Sequence, residues 1–337
     1  MNIKHLSFCI GGEADVVILS SEDDVREVYE YAKSNNLQVH ILGGGTNTVF
    51  KDGHSNTLIA KMEMKGKKLE VGSQKLEENT NTDEYVFLNI NAGEDWDDVV
   101  KYTVDNNWWG LENLSYIPGM VGATPVQNIG AYGVELSDTL ISLRAYDSTI
   151  GEFVDMKNEE CELGYRDSIF KRNPNRYCIT SITLKLSKIG NPVLLYKPLD
   201  MLKEKKDLNI LDIRNEVIRV RTEKLPDHKK YPNAGSFFKN PVISRLESEE
   251  LCKRYLTAPI YKVENGYKIA AAWLIEHVAN MKGIRKGNVG TWPTQPLVIV
   301  NYGGATCQEL EDFSMEIVKT IENNAGIHLE REVNIIK

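Results

Sequence analysis

Apolar residues recur at helical spacing in several segments of the chain. Val25, Val28, Tyr29 and Ala32 form the first stripe, and Ser21 precedes it as a candidate N-cap followed by acidic residues. Similar stripes predict helices over or near 96–104, 210–220, 244–255, 268–280 and 310–321. The pattern therefore predicts helices along the whole length of the chain.

Alternating or continuous apolar runs predict strands between these helices. They lie at 39–41, 86–90, 140–155, 178–187 and 297–300. On a last strand, Leu329, Arg331 and Val333 would point one way, which places Glu330 and Glu332 together on the other face. The polar stretch 65–84 predicts a solvated hairpin or an exposed loop.

Composition narrows the class of protein. The 337 residues suffice for about two domains, and 42% hydrophobic residues can supply a sizeable core. Lysine and arginine total 40 against 48 acids, and the net charge of −8 argues against nucleic acid as the main partner. We therefore expect a globular protein, and the charge balance leaves room for local basic sites that bind a phosphorylated small molecule.

Cysteine, histidine and hydropathy patterns exclude further classes. The five cysteines and six histidines are scattered without metal-ligand spacing, so we expect neither a disulfide framework nor a metal site. No run approaches the ~18 apolar residues of a membrane helix, and the N-terminus does not resemble a secretory signal. A cytoplasmic location without membrane association is the expectation.

Two glycine-rich segments are candidate ligand loops. Residues 43–47, GGGTN, follow a predicted strand but lack the GxGxxG and Walker spacings, so a tight turn is as good an interpretation as a phosphate loop. Residues 117–133 contain four glycines, two prolines and almost no charge. A buried loop needs partners for its backbone polar groups, and a large cofactor could supply them.

Three polar positions are ambiguous when each is considered alone. Arg166, in the YRDS segment, is either part of a surface ion pair or a guanidinium aimed at a carboxylate. No partner base stands at a recognisable spacing from Ser236, in NAGSFFKNP, so a nucleophilic role is not favoured. Ser236 instead either caps a turn or donates a hydrogen bond or proton. Glu332 is either a solvated edge charge or a site residue.

Taken together, these segments resemble one family. The motifs GGGTN, GLENLSYIPGMVGATPVQNIGAYGVEL, GYRDSIFK, KLPD with NAGSFFKNP, and LEREV occur in the order and approximate spacing of the UDP-N-acetylenolpyruvoylglucosamine reductases. The likeness extends from about Leu6 to the C-terminus. Several motifs in register are far more specific than any one of them.

The resemblance implies a fold and a domain organisation. The fold class would be α+β, with an FAD-binding domain of the vanillyl-alcohol oxidase (PCMH) type over 10–188 and a C-terminal α/β substrate-binding domain over 222–325. Residues 189–221 would form a linker and helix, and 326–337 a strand returning to the FAD domain. The family also implies a cytoplasmic bacterial enzyme of peptidoglycan synthesis, serving cell shape and division, and a monomer.

The resemblance also implies a reaction. FAD, held noncovalently, would take hydride from NADPH and pass it from N5 to C3 of the enolpyruvyl ether of a UDP-sugar. Arg166 and Glu332 would stabilise the enolate, with Glu332 protonated or acting through an ordered proton, and Ser236 would protonate C2. A serine is a poor acid in water, so Ser236 would need to be desolvated and hydrogen-bonded.

Binding residues follow from the same motif matches. The expected FAD contacts are Gly43, Gly44, Gly45, Thr46, Asn47, Ile117, Pro118, Gly119, Gly122, Thr124, Gln127, Gly130 and Arg221. The expected substrate contacts are Tyr132, Tyr196, Lys224, Asn240, Lys268 and Gln295, with Tyr196 covering the uridine diphosphate as in the longer branch of the family. Thr46 replaces the usual serine but keeps a hydroxyl, and Asn334 stands where some relatives have an arginine beside the flavin.

Two alternatives stay open at this point. Another flavin oxidoreductase of the same fold, such as a sugar or alcohol oxidase using oxygen, would share the FAD domain. A non-catalytic protein that binds a sugar nucleotide or a flavin would share both domains. The joint presence of Arg166, Ser236 and Glu332 favours the reductase over both.

Overall fold

The computed structural model describes residues 6–53, 57–70 and 83–336. These residues form two compact units: a first unit of residues 15–44 and 57–221, and a second unit of residues 6–14, 45–53 and 222–336. Each unit has its own apolar core. Most of the polar stretch predicted at 65–84 as a hairpin or exposed loop lies outside the described residues.

The helices occupy most of the segments with helical spacing. They are α1 (Glu22–Ser34), α2 (Trp96–Asp105), α3 (Ile169–Arg172), α4 (Ile210–Lys224), α5 (Arg245–Arg254), α6 (Ala271–Trp273) and α7 (Cys307–Ala325). A π-helical turn, Leu274–Val278, continues α6. Among the helices of the described segments, none combines the length and apolar character needed to cross a bilayer.

The strands range from 2 to 11 residues in length. In chain order they are β1 (Val16–Leu19), β2 (Gln38–Leu42), β3 (Thr48–Phe50), β4 (Thr57–Met62), β5 (Lys67–Leu69), β6 (Tyr85–Asn91), β7 (Gly130–Ala131), β8 (Val134–Glu135), β9 (Leu140–Asp147), β10 (Glu152–Lys157), β11 (Tyr177–Ser187), β12 (Asn233–Ser236), β13 (Val242–Ile243), β14 (Ile260–Val263), β15 (Gly266–Ile269), β16 (Arg285–Lys286), β17 (Val289–Thr291), β18 (Val298–Asn301) and β19 (Asn334–Ile336). The predicted strand at 140–155 is thus a hairpin of β9 and β10.

The first unit contains two principal sheets. A parallel sheet has the order β1-β4-β2, and an antiparallel sheet has the order β10-β9-β11-β6-β5. The buried face of α2, with Trp96, Val99, Val100 and Val104, belongs to the core that includes the inner residues of β6, β9 and β11. This packing fixes the N-terminus of α2 beside the segment 114–120, where Asp95 forms a bridge to Met120.

The second unit packs helices against small sheets. One sheet has the order β12-β18-β17-β16, another has the order β13-β15-β14, and β19 pairs in parallel with β3. Phe237 and Phe238 are fully buried with the apolar face of α7, which carries Leu310, Phe313 and Ile317. The strand β12 is therefore held by an extensive core immediately after Ser236.

The N-cap predicted at Ser21 is confirmed, and a glycine ends the last helix. Ser21 caps α1 in a reciprocal capping box with Asp24, and Gly326 ends α7 with a φ of 70°, in the left-handed conformation that glycine adopts without strain. The prediction for 268–280 is wrong at its start, because β15 runs to Ile269 before the helix begins. Hydrogen bonding of β15 to β13 and β14 overrides the local helical spacing.

The last strand is shorter than predicted. Its regular part is β19, and Leu329 and Val333 are buried while Arg331 is exposed. The residues before β19 are instead fixed by backbone hydrogen bonds to the segment after β12.

The two units also differ from the predicted ranges. Residues 45–53 group with the C-terminal part of the chain because β3 pairs with β19, and residues 189–221 group with the first unit. The assignment of each domain to a ligand stays a prediction.

Candidate active site

The uncharged loop at 117–133 lies in the first unit and is tied to the N-terminus of α2. The backbone N–H of Trp96 donates to the carbonyl of Gly119 at 3.0 Å, and its indole Nε1 donates to the carbonyl of Leu114 at 3.1 Å. Short 3₁₀ turns at 121–123 and 125–127 satisfy further backbone groups of the loop. The loop is therefore folded by its own unit and needs no ligand to satisfy these groups.

Close packing explains the small residues of this loop. A Cβ on Gly122 would lie 2.6 Å from the Cβ of Ala92, so no larger residue fits there without a shift. A Cβ on Gly43, just after β2, would lie 3.4 Å from the Cβ of Met120 and 3.6 Å from the Cβ of Ala123. The first glycine of the GGGTN segment thus contacts the second candidate loop. Two loops that bind the same ligand must be neighbours in this way. Gly44 belongs to the same unit, whereas Gly45, Thr46 and Asn47 belong to the second.

Arg166 is held against the same loop. Its backbone has a φ of 53°, and its guanidinium donates from Nη2 to the carbonyl of Gly130 at 2.8 Å and from Nη1 to that of Asn128 at 3.5 Å. Lys171 donates from Nζ to the Arg166 carbonyl at 3.1 Å and to Oε1 of Gln127 at 3.2 Å. In the same segment, Arg172 forms ion pairs with Asp167 and Glu162.

Tyr132, Tyr196 and Arg221 form a second group in the first unit. The two tyrosine rings lie edge to face at 6.1 Å between centroids, and the cation of Arg221 favours the ionised form of the Tyr132 hydroxyl. Burial raises the pKa of Tyr132, and the nearby Arg221 only partly opposes this. Burial likewise lowers the pKa of Arg221, although Tyr132, Asp97 and Tyr116 favour its charged form. The structure thus brings together two expected substrate residues and an expected FAD residue.

In the second unit, Ser236 and Glu332 lie on adjacent segments of backbone. The N–H of Glu332 donates to the carbonyl of Phe237 at 2.9 Å, next to Ser236. Asn47 donates from Nδ2 to the carbonyl of Glu332 at 3.1 Å. Ser236 is exposed and Glu332 is half-buried. The desolvation expected of Ser236 is therefore not present in this structure and would have to come from bound substrate.

The remaining expected substrate residues also lie in the second unit. Thr294, beside Gln295, donates from Oγ1 to the carbonyl of Lys224 at 2.8 Å, and the carbonyl of Gln295 accepts from Val298, the residue paired with Ser236 in the sheet. Asn240 accepts on Oδ1 from the N–H of Ala271 at 2.8 Å, which anchors the start of α6. Lys268 lies in β15, opposite Val242. Of these residues, Gln295 is linked to β12, through Val298.

Metal-ligating side chains and cysteine thiols were the other groups considered from the sequence. Within the described ranges, no three His, Cys, Asp or Glu side chains are placed to hold a metal ion. All five cysteines are free thiols, and burial raises the pKa of Cys161 and of Cys178 to about 12. Thiols that are protonated at neutral pH are poor nucleophiles and poor metal ligands.

Sequence reasoning missed two residues that organise the loop. Asp97 accepts from the N–H of Tyr116 at 2.6 Å, but in the sequence it looks like an ordinary first-turn acid of α2. Asn113 is buried and donates from Nδ2 to the carbonyls of Tyr132 at 2.9 Å and Val193 at 2.8 Å. A buried amide must find partners within the fold, but Asn113 directly follows Glu112 in the sequence and nothing there signals its burial.

Comparison with known proteins gives consistent matches over the whole chain. A family model described as an FAD binding domain matches residues 14–157, and one described as the C-terminal domain of UDP-N-acetylenolpyruvoylglucosamine reductase matches residues 227–336. The enzyme of that name from Flavobacterium johnsoniae is 41% identical over 97% of this chain and 96% of its own length. The one from Aliivibrio fischeri is 38% identical over 97% of this chain and 90% of its own.

The fold is shared with a solved structure. UDP-N-acetylenolpyruvylglucosamine reductase from Thermus caldophilus superposes with a TM-score of 0.66 at 20% identity, covering 100% of this chain and 98% of that one. The α+β fold class with an FAD-binding domain is confirmed. Because relatives of that name at 41% and 38% identity each match 97% of this chain, the chain belongs to the UDP-N-acetylenolpyruvoylglucosamine reductase family.

Proposed function

We propose that this protein reduces the enolpyruvyl ether of UDP-N-acetylenolpyruvoylglucosamine to UDP-N-acetylmuramate in bacterial peptidoglycan synthesis. It is an FAD-dependent oxidoreductase with NADPH as the hydride donor. The observation that supports this most strongly is the 41% identity to a reductase of that name across 97% of the chain, including both matched domains. Arg166, Ser236 and Glu332 are the residues proposed to carry the reaction.

The residues present in the first unit fit FAD. Gly43 contacts the loop at Met120 and Ala123, and close packing at Gly122 keeps the loop backbone near β6. The cation of Arg221 is desolvated beside this loop and suits a cofactor that carries phosphates and gains negative charge on reduction. Bound FAD supplies the transfer of hydride from NADPH to the enol ether. The residues proposed to hold it are Gly43, Gly44, Gly45, Thr46, Asn47, Ile117, Pro118, Gly119, Gly122, Thr124, Gln127, Gly130 and Arg221.

Arg166 is proposed to bind and polarise the substrate carboxylate. Two backbone carbonyls, those of Gly130 and Asn128, fix the orientation of its guanidinium before substrate arrives. A preorganised cation stabilises charge that develops on the carboxylate without reorganising at the moment of reaction. Arg166 therefore acts as a fixed electrostatic clamp, and not as a proton carrier.

Ser236 is proposed to donate a proton to C2 of the substrate. Its backbone is fixed by pairing with Val298 and by the buried Phe237, while its hydroxyl is exposed. A rigid backbone with an exposed hydroxyl suits a group that must meet substrate in a defined geometry. Glu332, on the adjacent segment, would share the stabilisation of the enolate with Arg166.

Some of the proposed substrate residues lie in the first unit and others in the second. Tyr132 and Tyr196 offer two aromatic rings in the first unit, and Tyr196 is 54% exposed, so it has surface to place over the uridine diphosphate. Lys224, Asn240, Lys268 and Gln295 offer cations and amides in the second, which suit a diphosphate and a sugar. A UDP-sugar is the proposed small-molecule partner, and the protein is proposed to act in the cytoplasm as a monomer, without nucleic acid or membrane.

The test is anaerobic visible spectroscopy of the purified protein through two half-reactions. NADPH should bleach the flavin bands, and the enolpyruvyl UDP-sugar should then restore them without oxygen. Restoration by oxygen alone would favour an oxidase of the same fold. Protein that takes up FAD but responds to neither compound would favour a non-catalytic binding protein.

A further inference from the structure

Tyr116 adopts a strained backbone conformation at the start of the proposed FAD loop. Its φ is 61°, in the left-handed region that disfavours residues with a bulky side chain, and its side chain is 44% exposed. Packing of the tyrosine ring in a core therefore does not account for the strain. It immediately precedes Ile117, Pro118 and Gly119, so the direction of the loop depends on this conformation.

Two oppositely charged side chains hold the backbone of Tyr116. Its N–H donates to Oδ1 of Asp97 at 2.6 Å, and its carbonyl accepts from Nε of Arg221 at 3.1 Å. Hydrogen bonds to charged groups are about twice as strong as those between neutral groups. The strained residue is thus fixed from both sides, and one of its partners is itself a proposed FAD contact.

Asp97 is fixed in turn by a buried arginine. Arg214 donates from Nη1 to Oδ1 at 2.7 Å and from Nη2 to Oδ2 at 2.9 Å, and Arg214 is only 7% exposed. Burial would raise the pKa of the Asp97 carboxyl, but hydrogen bonds from Arg214 and Tyr116 outweigh it and hold that pKa below its usual range. Asp97 is therefore a charged, immobile acceptor at neutral pH.

Asp97 is not needed to cap its helix. Asp95 is the N-cap of α2, and its Oδ1 accepts from the N–H groups of Asp97 and Asp98 at 2.9 and 3.2 Å. Nor does the pair with Arg214 require a third partner, since a bidentate pair already uses both carboxylate oxygens. The hydrogen bond to Tyr116 is thus an additional function of this carboxylate.

We propose that Asp97 is a positioning residue that presets the FAD loop: acting through Tyr116, it fixes residues 116–119 and the guanidinium of Arg221 before the cofactor binds. This inference rests on the proposed function, because it needs the loop to contact FAD. It assigns to Asp97 an effect on cofactor affinity, with no contact to FAD required. If loss of Asp97 lowers the competent fraction of loops to about a tenth, the apparent Kd for FAD rises about tenfold.

The test compares FAD release from holoprotein variants. Each FAD-loaded protein is diluted serially, and free flavin is read from its recovered fluorescence to give a Kd. Asp97→Ala should raise the Kd about tenfold. The control, Asp98→Ala, removes the same charge from an exposed neighbour on the same helical turn and should change the Kd less than twofold.

A rescue variant separates positioning from general damage. Glycine adopts a positive φ without strain, so adding Tyr116→Gly to Asp97→Ala should recover a substantial part of the lost affinity. If Asp97→Ala fails to fold because Arg214 is left as an unpaired buried cation, Asp97→Ala with Arg214→Met removes both charges and is measured instead.

An unchanged Kd in a folded Asp97 variant, or a raised Kd that Tyr116→Gly does not improve, would overturn the inference. Wild-type protein that binds no FAD would instead overturn the proposed function, so the two failures are distinguishable.

Discussion

The side-chain amide of Asn47 donates a hydrogen bond to the backbone carbonyl of Glu332 across 3.1 Å. The backbone reinforces this contact, because the N–H of Asn334 donates to the carbonyl of Asn47, also at 3.1 Å. The last residue of the GGGTN segment is therefore joined directly to a residue proposed to stabilise the enolate. Asn47 can serve both as an FAD contact and as an anchor for Glu332.

This contact predicts a selective defect in Asn47→Asp. The variant keeps the shape of the side chain but replaces the donating amide with an oxygen that repels the Glu332 carbonyl. With FAD held saturating, we expect substrate to reoxidise the flavin about tenfold more slowly, equivalent to the loss of one modest hydrogen bond. Anaerobic stopped-flow absorbance measures this step. A normal rate at full FAD occupancy would show that Asn47 does not position Glu332.

Ser236→Ala should separate the two half-reactions. NADPH should bleach the flavin at the wild-type rate, because the hydroxyl is proposed to act on C2 of the substrate alone. Reoxidation by substrate should slow by about 10²-fold or more, the usual contribution of a positioned general acid. The NADPH step in the same sample is the internal control. Equal slowing of both steps would remove Ser236 as the proton donor.

Arg166→Lys tests the need for a fixed guanidinium. A lysine keeps the charge but cannot donate to the carbonyls of Gly130 and Asn128 in the same planar geometry. We expect the substrate step to slow by about 10²-fold while FAD content is unchanged. Arg172→Lys, in an exposed ion-pair cluster on the same segment, is the matched control and should behave as wild type. Loss of FAD from Arg166→Lys would make Arg166 a structural residue.

Asp147 should contribute to stability in a pH-dependent way. A hydrogen bond from Arg176 is the main cause that lowers the pKa of this carboxyl to about 2 from its model-compound value of 3.8. A lowered folded-state pKa stabilises the protein above pH 3.8, and this contribution is lost as the pH falls toward 2. Asp147→Asn should thus lower the urea midpoint at pH 7, and the difference from wild type should shrink below pH 4. A difference that is constant with pH would contradict the ion pair.

Local signals predicted the outer framework of the fold well. Ser21 marks the start of α1, and Gly326 marks the end of α7. Such caps can be predicted because capping depends on a few neighbouring residues. The start of α6 was missed because long-range pairing of β15 determines it. The strand expected from Leu329 was too long for the same reason, since the fold bonds these residues to the segment after Ser236.

The candidate site was predictable only through its motifs. Considered alone, Arg166 could be part of a surface ion pair and Ser236 could cap a turn. Their neighbouring residues do not predict the backbone carbonyls that hold Arg166 or the strand pairing that holds Ser236. The pair of Asp97 and Arg214 joins residues 117 positions apart, so no spacing rule could find it. Such pairs are created by tertiary packing, and a single sequence contains no local trace of them.

The parallel pairing of β3 with β19 has a consequence for biosynthesis. Thr48, which directly follows the GGGTN segment, pairs with Asn334, so every residue between them must be translated before this strand finds its partner. Closing so long a loop carries an entropic cost and slows the contact relative to local structure. On the ribosome, Glu332 can therefore join Asn47 only after its own segment has emerged, long after the GGGTN segment.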